Sequence, residues 1–201
     1  MGPIDGVNAA ARRMPAWPLY IIGVLPAIWL VWLGATGGLG AEPIKALERG
    51  LGEKALQLLV LVLAITPLRR FVGLNLLKFR RAIGLLVFIY AALHLLVWLV
   101  LDVQIPAQIW ADIVKRPYVT IGFTGFLLLV PLAMTSNNWS VRRLGPKWRQ
   151  LHRLTYVAAA LGGVHYIWLV KGIQIEPLAY MAVILGLLAL RKRGAPRKQA
   201  G

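Results

Sequence analysis

Continuous apolar runs, rather than alternating apolar and polar residues, dominate the sequence. Most runs approach the roughly 20 residues that a helix needs to cross the hydrocarbon core of a bilayer. A membrane β-barrel would instead show alternating polarity in pieces of roughly 10 residues. The pattern therefore predicts an all-α integral membrane protein with six transmembrane helices, of which the second and the last are short. The predicted spans are 17–33, 55–68, 82–101, 118–134, 151–170 and 177–190.

The composition supports lipid as the solvent of these helices. Of 201 residues, 59% are hydrophobic, and the mean hydropathy is +0.68, whereas soluble domains are roughly 45–50% apolar. No acidic residue lies deep within a predicted span, which argues against a proton-coupled pump. The absence of cysteine excludes disulfides, thiol chemistry and iron–sulfur ligation. The acidic residues are Asp5, Glu42, Glu48, Glu53, Asp102, Asp112 and Glu176.

The net charge of +16 follows the predicted topology. With the amino terminus inside, 17 of the 23 basic residues fall on the cytoplasmic side and 6 on the other. This positive-inside bias predicts that both termini are cytoplasmic. Basic loops facing anionic lipid account for the charge, so no nucleic-acid partner is expected. The predicted organisation is a cytoplasmic segment 1–16, a six-helix domain 17–190 and a basic cytoplasmic tail 191–201.

All three histidines lie in or beside apolar runs: His94 in "YAALHLLVW", and His152 and His165 at the ends of "HRLTYVAAALGGVH". The predicted third and fifth helices run parallel, which puts His94 and His165 at a similar depth near the outer side. Facing imidazoles on two helices of a bundle can be the axial ligands of a haem. The alternative is a hydrogen-bonding role between helices. Zinc is a weaker choice, since it needs three or four ligands.

Nearby small residues, Gly162, Gly163 and Gly84, would make room for a macrocycle.

His152 needs a partner of its own near the cytoplasmic side. Arg80 precedes His94 by 14 residues, about four helical turns, so the two share a face of the third helix. His152 and His165 are 13 residues apart, which separates them by about 140° on a regular helix. Either a distortion at 162–163 brings them together, or His152 has another role. For Arg80, the alternative is snorkelling to lipid headgroups.

Several strings resemble a known family: "WRQLHRLTY" followed by "AAALGGVHYIW", with "YAALHLL" upstream. They are similar to the MsrQ (YedZ) family of haem-binding membrane subunits, within the ferric-reductase-like transmembrane superfamily, over roughly 17–190. The resemblance implies haem b ligated by His94, His152 and His165. Related oxidases hold two stacked haems with two histidines on each of two helices. Arg80 stands where the inner histidine of the third helix would be, so one haem b is expected, or two.

The resemblance also implies FMN, whose phosphate Arg80, Arg81, Arg142 and Arg143 could engage. It implies electron transfer across the bacterial inner membrane to a periplasmic molybdenum-cofactor enzyme that reduces methionine sulfoxide in oxidised proteins. The chain would be the multi-pass electron-transfer subunit rather than the catalytic one. The related oxidases carry a flavin and nicotinamide domain after their last helix. This sequence ends soon after residue 190, so the expected donor is quinol or a separate cytoplasmic flavin reductase.

Two other functions fit parts of the sequence. One is a stand-alone quinol-linked cytochrome b or ferric reductase, which would share the same core and differ only in its acceptor. The other is a transporter or channel with structural histidines. The lack of carboxylates within the predicted spans conflicts with the second.

Overall fold

The computed structural model describes residues 2–170 and 172–192. The described chain is helical and contains no β-strand. Two helices continue as π-helical segments, Leu68–Val72 and Trp98–Val103, and a 3₁₀ turn, Leu77–Phe79, precedes α4. The α-helices of the described residues are α1 (Pro3–Arg13), α2 (Pro18–Ala35), α3 (Pro43–Pro67), α4 (Arg80–Val97), α5 (Pro106–Lys115), α6 (Pro117–Met134), α7 (Asn138–Leu144), α8 (Pro146–Leu151), α9 (Leu154–Leu169) and α10 (Ile175–Lys192).

The predicted apolar spans fall, in chain order, on α2, α3, α4, α6, α9 and α10. The all-α membrane class is confirmed. Within the described residues, four helical stretches are long and apolar enough to cross a membrane: Pro18–Ala35, Pro43–Val72, Leu77–Val103 and Pro117–Met134. The count of six spans, the haem between the third and fifth of them and the cytoplasmic termini stay predictions.

Helix α3 begins at Pro43, twelve residues before the predicted start at residue 55. Its first half is amphipathic rather than continuously apolar. Leu47, Leu51 and Ala55 recur every four residues and are buried, as expected for one apolar stripe on a helix. A search for continuous apolar runs therefore misses it. As a result, Glu48 and Glu53 lie within α3 and not beyond its end, which corrects the expectation for these two carboxylates.

The segments predicted as loops and termini contain further helices. α1 lies within the predicted cytoplasmic segment, and α5 lies within the predicted outer loop after the third span. In α1, the side chain of Asn8 donates to the carbonyl of Gly73 and accepts from the backbone N–H of Asn75. These bonds fasten α1 to the connection between α3 and α4.

The helices pack in two main pairs, α3 along α4 and α6 along α9. α10 packs on α9 and α3, and α2 packs on α4 and α3. The core between them buries Leu63, Ile65, Ala159 and Ile184 completely. α2, in contrast, buries only Ala27 among its described residues. Its many exposed apolar side chains are expected where lipid is the neighbour.

The predicted basic tail, 191–201, lies outside the described residues from 193 onward. Arg191, its first residue, belongs to α10. The guanidinium of Arg191 donates to the hydroxyl of Tyr156 and to the carbonyl of Leu63, each at 2.7 Å. It is therefore packed between α3, α9 and α10.

Candidate functional site

Two cavities of similar size lie between the helices, and we call them outer and inner after the predicted orientation. The outer cavity, about 730 Å³, is lined by His94 and His165. The inner cavity, about 740 Å³, is lined by His152 and Arg80. Both volumes suit a cofactor-sized ligand. Three apolar side chains, Leu59, Val87 and Leu129, line both cavities, so only a thin apolar layer separates them.

The structure brings His94 of α4 and His165 of α9 together, as the matched depth predicted. Their ring centroids are 6.2 Å apart, and the ring planes are inclined at 77°. Two metal–imidazole bonds of about 2.0 Å each, with about 1.1 Å from nitrogen to ring centre, would separate two centroids by roughly 6 Å. The spacing of this histidine pair thus fits one metal ion held between two imidazoles.

Hydrogen bonds fix both rings of the pair in the same way. The Nδ1 atom of His94 lies 2.8 Å from the carbonyl oxygen of Glu48, and that of His165 lies 2.7 Å from the carbonyl oxygen of Tyr118. A carbonyl can only accept, so Nδ1 carries the proton in both rings. The lone pair of each neutral imidazole is then on Nε2. Metal-ligating histidines almost always donate their other ring N–H in this manner.

The walls of the outer cavity are mainly apolar, which suits the body of a porphyrin. Aromatic and aliphatic side chains from α3, α4, α6 and α9 form them, including Leu56, Phe123, Phe126 and Leu169. No group of three or more His, Cys, Asp or Glu side chains able to hold a metal ion occurs among the described residues. A site for zinc with three or four protein ligands therefore has no support, whereas a haem, which brings four nitrogen ligands of its own, needs only the pair.

Polar and charged side chains also line the outer cavity. Glu48, Arg49, Glu53, Gln174 and Glu176 contribute to its lining.

The three glycines that were expected to make room for a macrocycle lie in three different surroundings. Gly162 lines the outer cavity, and Gly84 lines the inner one. Gly163 faces α10 instead, because a Cβ there would lie 2.8 Å from the methyl carbon of Met181. α9 runs as a regular helix through both of its glycines, so the first of the two alternatives, a distortion at 162–163, is not found. His152 lies in a turn before α9. The angle of about 140° between His152 and His165 therefore does not apply, because it assumes one regular helix through both residues.

His152 makes different contacts from the histidine pair. Its ring stacks on Trp148, with centroids 3.9 Å apart, and its Nε2 lies 3.1 Å from the hydroxyl of Thr135. That hydroxyl donates its proton to the carbonyl of Pro131 at 2.6 Å. The hydroxyl oxygen therefore accepts from Nε2–H of His152, which leaves the ring lone pair on Nδ1. This is the opposite tautomer to that of the histidine pair.

The inner cavity is strongly cationic. Five basic side chains line it, and none of its described lining residues is acidic: Lys78, Arg80, Arg81, Arg149 and Arg153. Arg80 also interacts with Tyr156, whose hydroxyl accepts from Arg191. A cluster of guanidinium groups without a carboxylate is suited to an anionic ligand.

Of the four arginines expected to meet a phosphate, two reach the inner cavity and two do not. Arg80 and Arg81 line it. Arg142 and Arg143 belong to α7, and Arg143 lies over the ring of Trp139, 5.2 Å from its centroid.

Sequence reasoning missed the backbone acceptors of the pair and the inward position of Arg191. The carbonyls of Glu48 and Tyr118 leave no signature in a side-chain pattern. Arg191 had one available signal, which is Pro67 near the end of the apolar run. Proline has no N–H, so the carbonyl of Leu63, four residues earlier, lacks its helical donor, and Arg191 supplies one.

Comparisons with known proteins agree with the membrane class of the fold. The family model "Ferric reductase like transmembrane component" matches residues 51–163. The protein-methionine-sulfoxide reductase heme-binding subunit MsrQ of Brucella anthropi is 48% identical over 176 residues, which are 87% of this chain and 80% of that protein. The subunits of the same name from Brucella ovis and Brucella canis are 49% identical over the same shares. No solved structure matches the chain.

Proposed function

Because the chain belongs to the ferric-reductase-like transmembrane family and to the MsrQ heme-binding subunits within it, we propose that it is a b-type cytochrome subunit of a methionine sulfoxide reductase system. In this proposal it passes electrons across the bacterial inner membrane. The single observation that carries the proposal is the histidine pair, with ring centroids 6.2 Å apart. The names of the relatives supply the reductase system.

The proposed haem ligands are His94 and His165, each through Nε2. Both rings donate Nδ1–H to a backbone carbonyl, which leaves each Nε2 lone pair available for iron. When bound, haem supplies one-electron redox chemistry. The protein's part would be to hold two neutral imidazoles as the iron ligands. The apolar walls from Leu56, Phe123 and Phe126 would keep water from the cofactor.

The inner cavity is the proposed site of electron input. Among the described residues, only Leu59, Val87 and Leu129 line both cavities, so an electron would cross a thin apolar layer between the two cofactors. The chain has three histidines, and the pair engages two of them, so the inner cavity has only His152. A second haem with two histidine ligands therefore has no support. The cationic lining favours FMN, with Arg80 and Arg81 on its phosphate and His152 beside the flavin.

The proposed acceptor is a periplasmic molybdenum-cofactor enzyme that reduces methionine sulfoxide. The chain itself has no cysteine to attack a sulfoxide, which supports a role in electron delivery rather than catalysis. The proposed donor is quinol or a cytoplasmic flavin reductase that meets the basic inner face. The acceptor would dock on the outer face, near the lining residues Glu48, Glu53 and Glu176 of the outer cavity.

The test uses right-side-out and inverted membrane vesicles in which the haem has first been reduced. A purified periplasmic acceptor should reoxidise the haem only where the outer face is accessible. Equal reoxidation in sealed inverted vesicles would contradict the direction of transfer. A colourless purified protein, without a b-type Soret or α band, would contradict the cytochrome itself.

A second candidate is a stand-alone quinol-linked cytochrome b or ferric reductase, which the match to the ferric-reductase family model favours. Ferric chelates added to the same pre-reduced vesicles separate the two candidates. Reoxidation by a ferric chelate at a rate above that by the periplasmic enzyme would favour the second.

A further inference from the structure

Each of the two carbonyls that accept from the histidine pair is followed, four residues later, by a glycine. Glu48 lies four residues before Gly52 in α3, and Tyr118 lies four residues before Gly122 in α6. In an α-helix, the carbonyl of residue i already accepts the N–H of residue i+4. The Cβ of residue i+4 points toward the amino terminus of the helix, so it covers the side of that carbonyl. A second donor meets less steric obstruction where this Cβ is missing.

Distances at the two glycines agree with this argument. A Cβ built on Gly52 would lie 3.0 Å from Nδ1 of His94 and 3.1 Å from its Cε1. A Cβ built on Gly122 would lie 2.6 Å from Nδ1 of His165 and 2.7 Å from its Cε1. Both contacts are tighter than ordinary van der Waals packing. By comparison, a Cβ on Gly186 in α10 would meet nothing within 4 Å.

We propose that Gly52 and Gly122 are positioning residues that let the carbonyls of Glu48 and Tyr118 fix the tautomer and the plane of the two axial imidazoles. This inference rests on the proposed ligation of haem by His94 and His165. The same arrangement of a carbonyl and a glycine occurs on α3 and on α6, which are distant in sequence. In each case it contacts the histidine of the helix packed beside it. Two rings held independently in this way keep their planes inclined at 77°.

The angle between the two imidazole planes can be detected by spectroscopy. Axial imidazoles with nearly perpendicular planes give low-spin ferric haem a strongly anisotropic electron paramagnetic resonance signal, whereas parallel planes give a more rhombic one. A methyl group at either glycine would turn its histidine ring or push it from the carbonyl. The g-values of the haem therefore depend on the orientation of the imidazole planes. If the glycines had only a structural role, their replacement would leave the g-values unchanged.

The experiment compares Gly52→Ala, Gly122→Ala and the matched control Gly186→Ala with the parent protein. Alanine has a higher helix propensity than glycine, so the backbone itself tolerates each change. Gly122→Ala should shift the g-values most or produce high-spin haem. Its affinity for haem should fall roughly 10-fold. Gly52→Ala, with its longer contacts, should move the g-values less and stay low-spin. Gly186→Ala should match the parent protein in signal and haem content.

The outcomes separate this inference from the function on which it rests. A parent protein without low-spin, bis-imidazole haem would contradict the proposed function itself. A low-spin parent signal that both cavity variants reproduce unchanged would overturn only the role of the glycines. Equal changes in all three variants would also overturn it, because Gly186 contacts neither ring. If Gly122→Ala yields no folded protein, the g-values of Gly52→Ala decide.

Discussion

The outer and inner cavities have nearly the same volume, about 730 and 740 Å³, but they hold their histidines in opposite ways. His94 and His165 donate from Nδ1 to backbone carbonyls, which leaves the lone pair of each ring on Nε2, and their ring centroids lie 6.2 Å apart. His152 donates from Nε2 to Thr135, and Trp148 covers one face of its ring. The first arrangement suits axial ligation of a metal. The second leaves the ring lone pair on Nδ1.

The charges around the histidines differ as well. The outer cavity combines apolar walls with the carboxylates of Glu48, Glu53 and Glu176 and the guanidinium of Arg49. The inner cavity is lined by five cationic side chains and, among its described lining residues, no carboxylate. The comparison teaches that histidines in apolar segments of one chain can differ in both tautomer and surroundings. The partner of the second ring nitrogen and the charge of the surroundings distinguish the proposed haem site from the proposed anion site.

The largest expected effect comes from removing either member of the pair. His94→Ala or His165→Ala should abolish most haem binding or convert the remaining haem to high-spin, because iron loses one of two axial ligands. Absorption spectra and the ratio of haem to protein measure this. If either variant kept a parental low-spin spectrum, the pair would not be the ligand set.

A smaller effect is expected from the inner cations. Arg80→Gln should weaken FMN binding by roughly tenfold or more, since a hydrogen bond to a charged group contributes about 1.5–3 kcal/mol. Flavin fluorescence during titration of the flavin-free protein measures it. The matched control is Arg142→Gln, which removes one positive charge from α7 outside the cavity lining. Equal weakening by both variants would point to general electrostatics instead.

His152→Ala should slow reduction of the haem by its donor while leaving the haem spectrum intact. The reason is that His152 lines the inner cavity and contacts neither member of the pair. Stopped-flow absorption with a reduced donor measures the rate. Thr135→Val removes the acceptor of His152 Nε2 but keeps the side-chain size, and it should slow reduction less. Loss of the low-spin haem in His152→Ala would instead make His152 an axial ligand.

The smallest functional effect, and a clear effect on stability, is expected at Arg191. Arg191→Met should lower the free energy of unfolding by about 1–3 kcal/mol, because the carbonyl of Leu63 loses its donor in a buried position. Thermal unfolding in detergent micelles measures it. Pro67→Ala restores a helical N–H for that carbonyl, so it should recover part of the loss in the Arg191→Met background. Additive losses in the double variant would show that the two residues are not coupled.

Much of the helical architecture was predictable, because apolar runs report burial in lipid directly. All six predicted spans fall on helices, and His94 and His165 lie close together, as their predicted depth led us to expect. The start of α3 was not predicted, since Glu48 and Glu53 interrupt the apolar run although Leu47 and Leu51 keep one face buried. The role of Arg191 was equally hidden, because a basic residue after an apolar run is typical of a cytoplasmic tail.

By itself, the sequence determined the helical membrane class, the resemblance to a haem-binding family and the three histidines available as ligands. Only the tertiary structure decided how each histidine is used. A hydrogen bond from Nδ1 or Nε2 depends on which backbone carbonyl or hydroxyl another helix brings within about 3 Å. Backbone carbonyls are the same in every residue, so Glu48 and Tyr118 become acceptors through helix packing and not through their side chains. The tautomer, and with it the chemistry of each imidazole, is therefore a property of the fold.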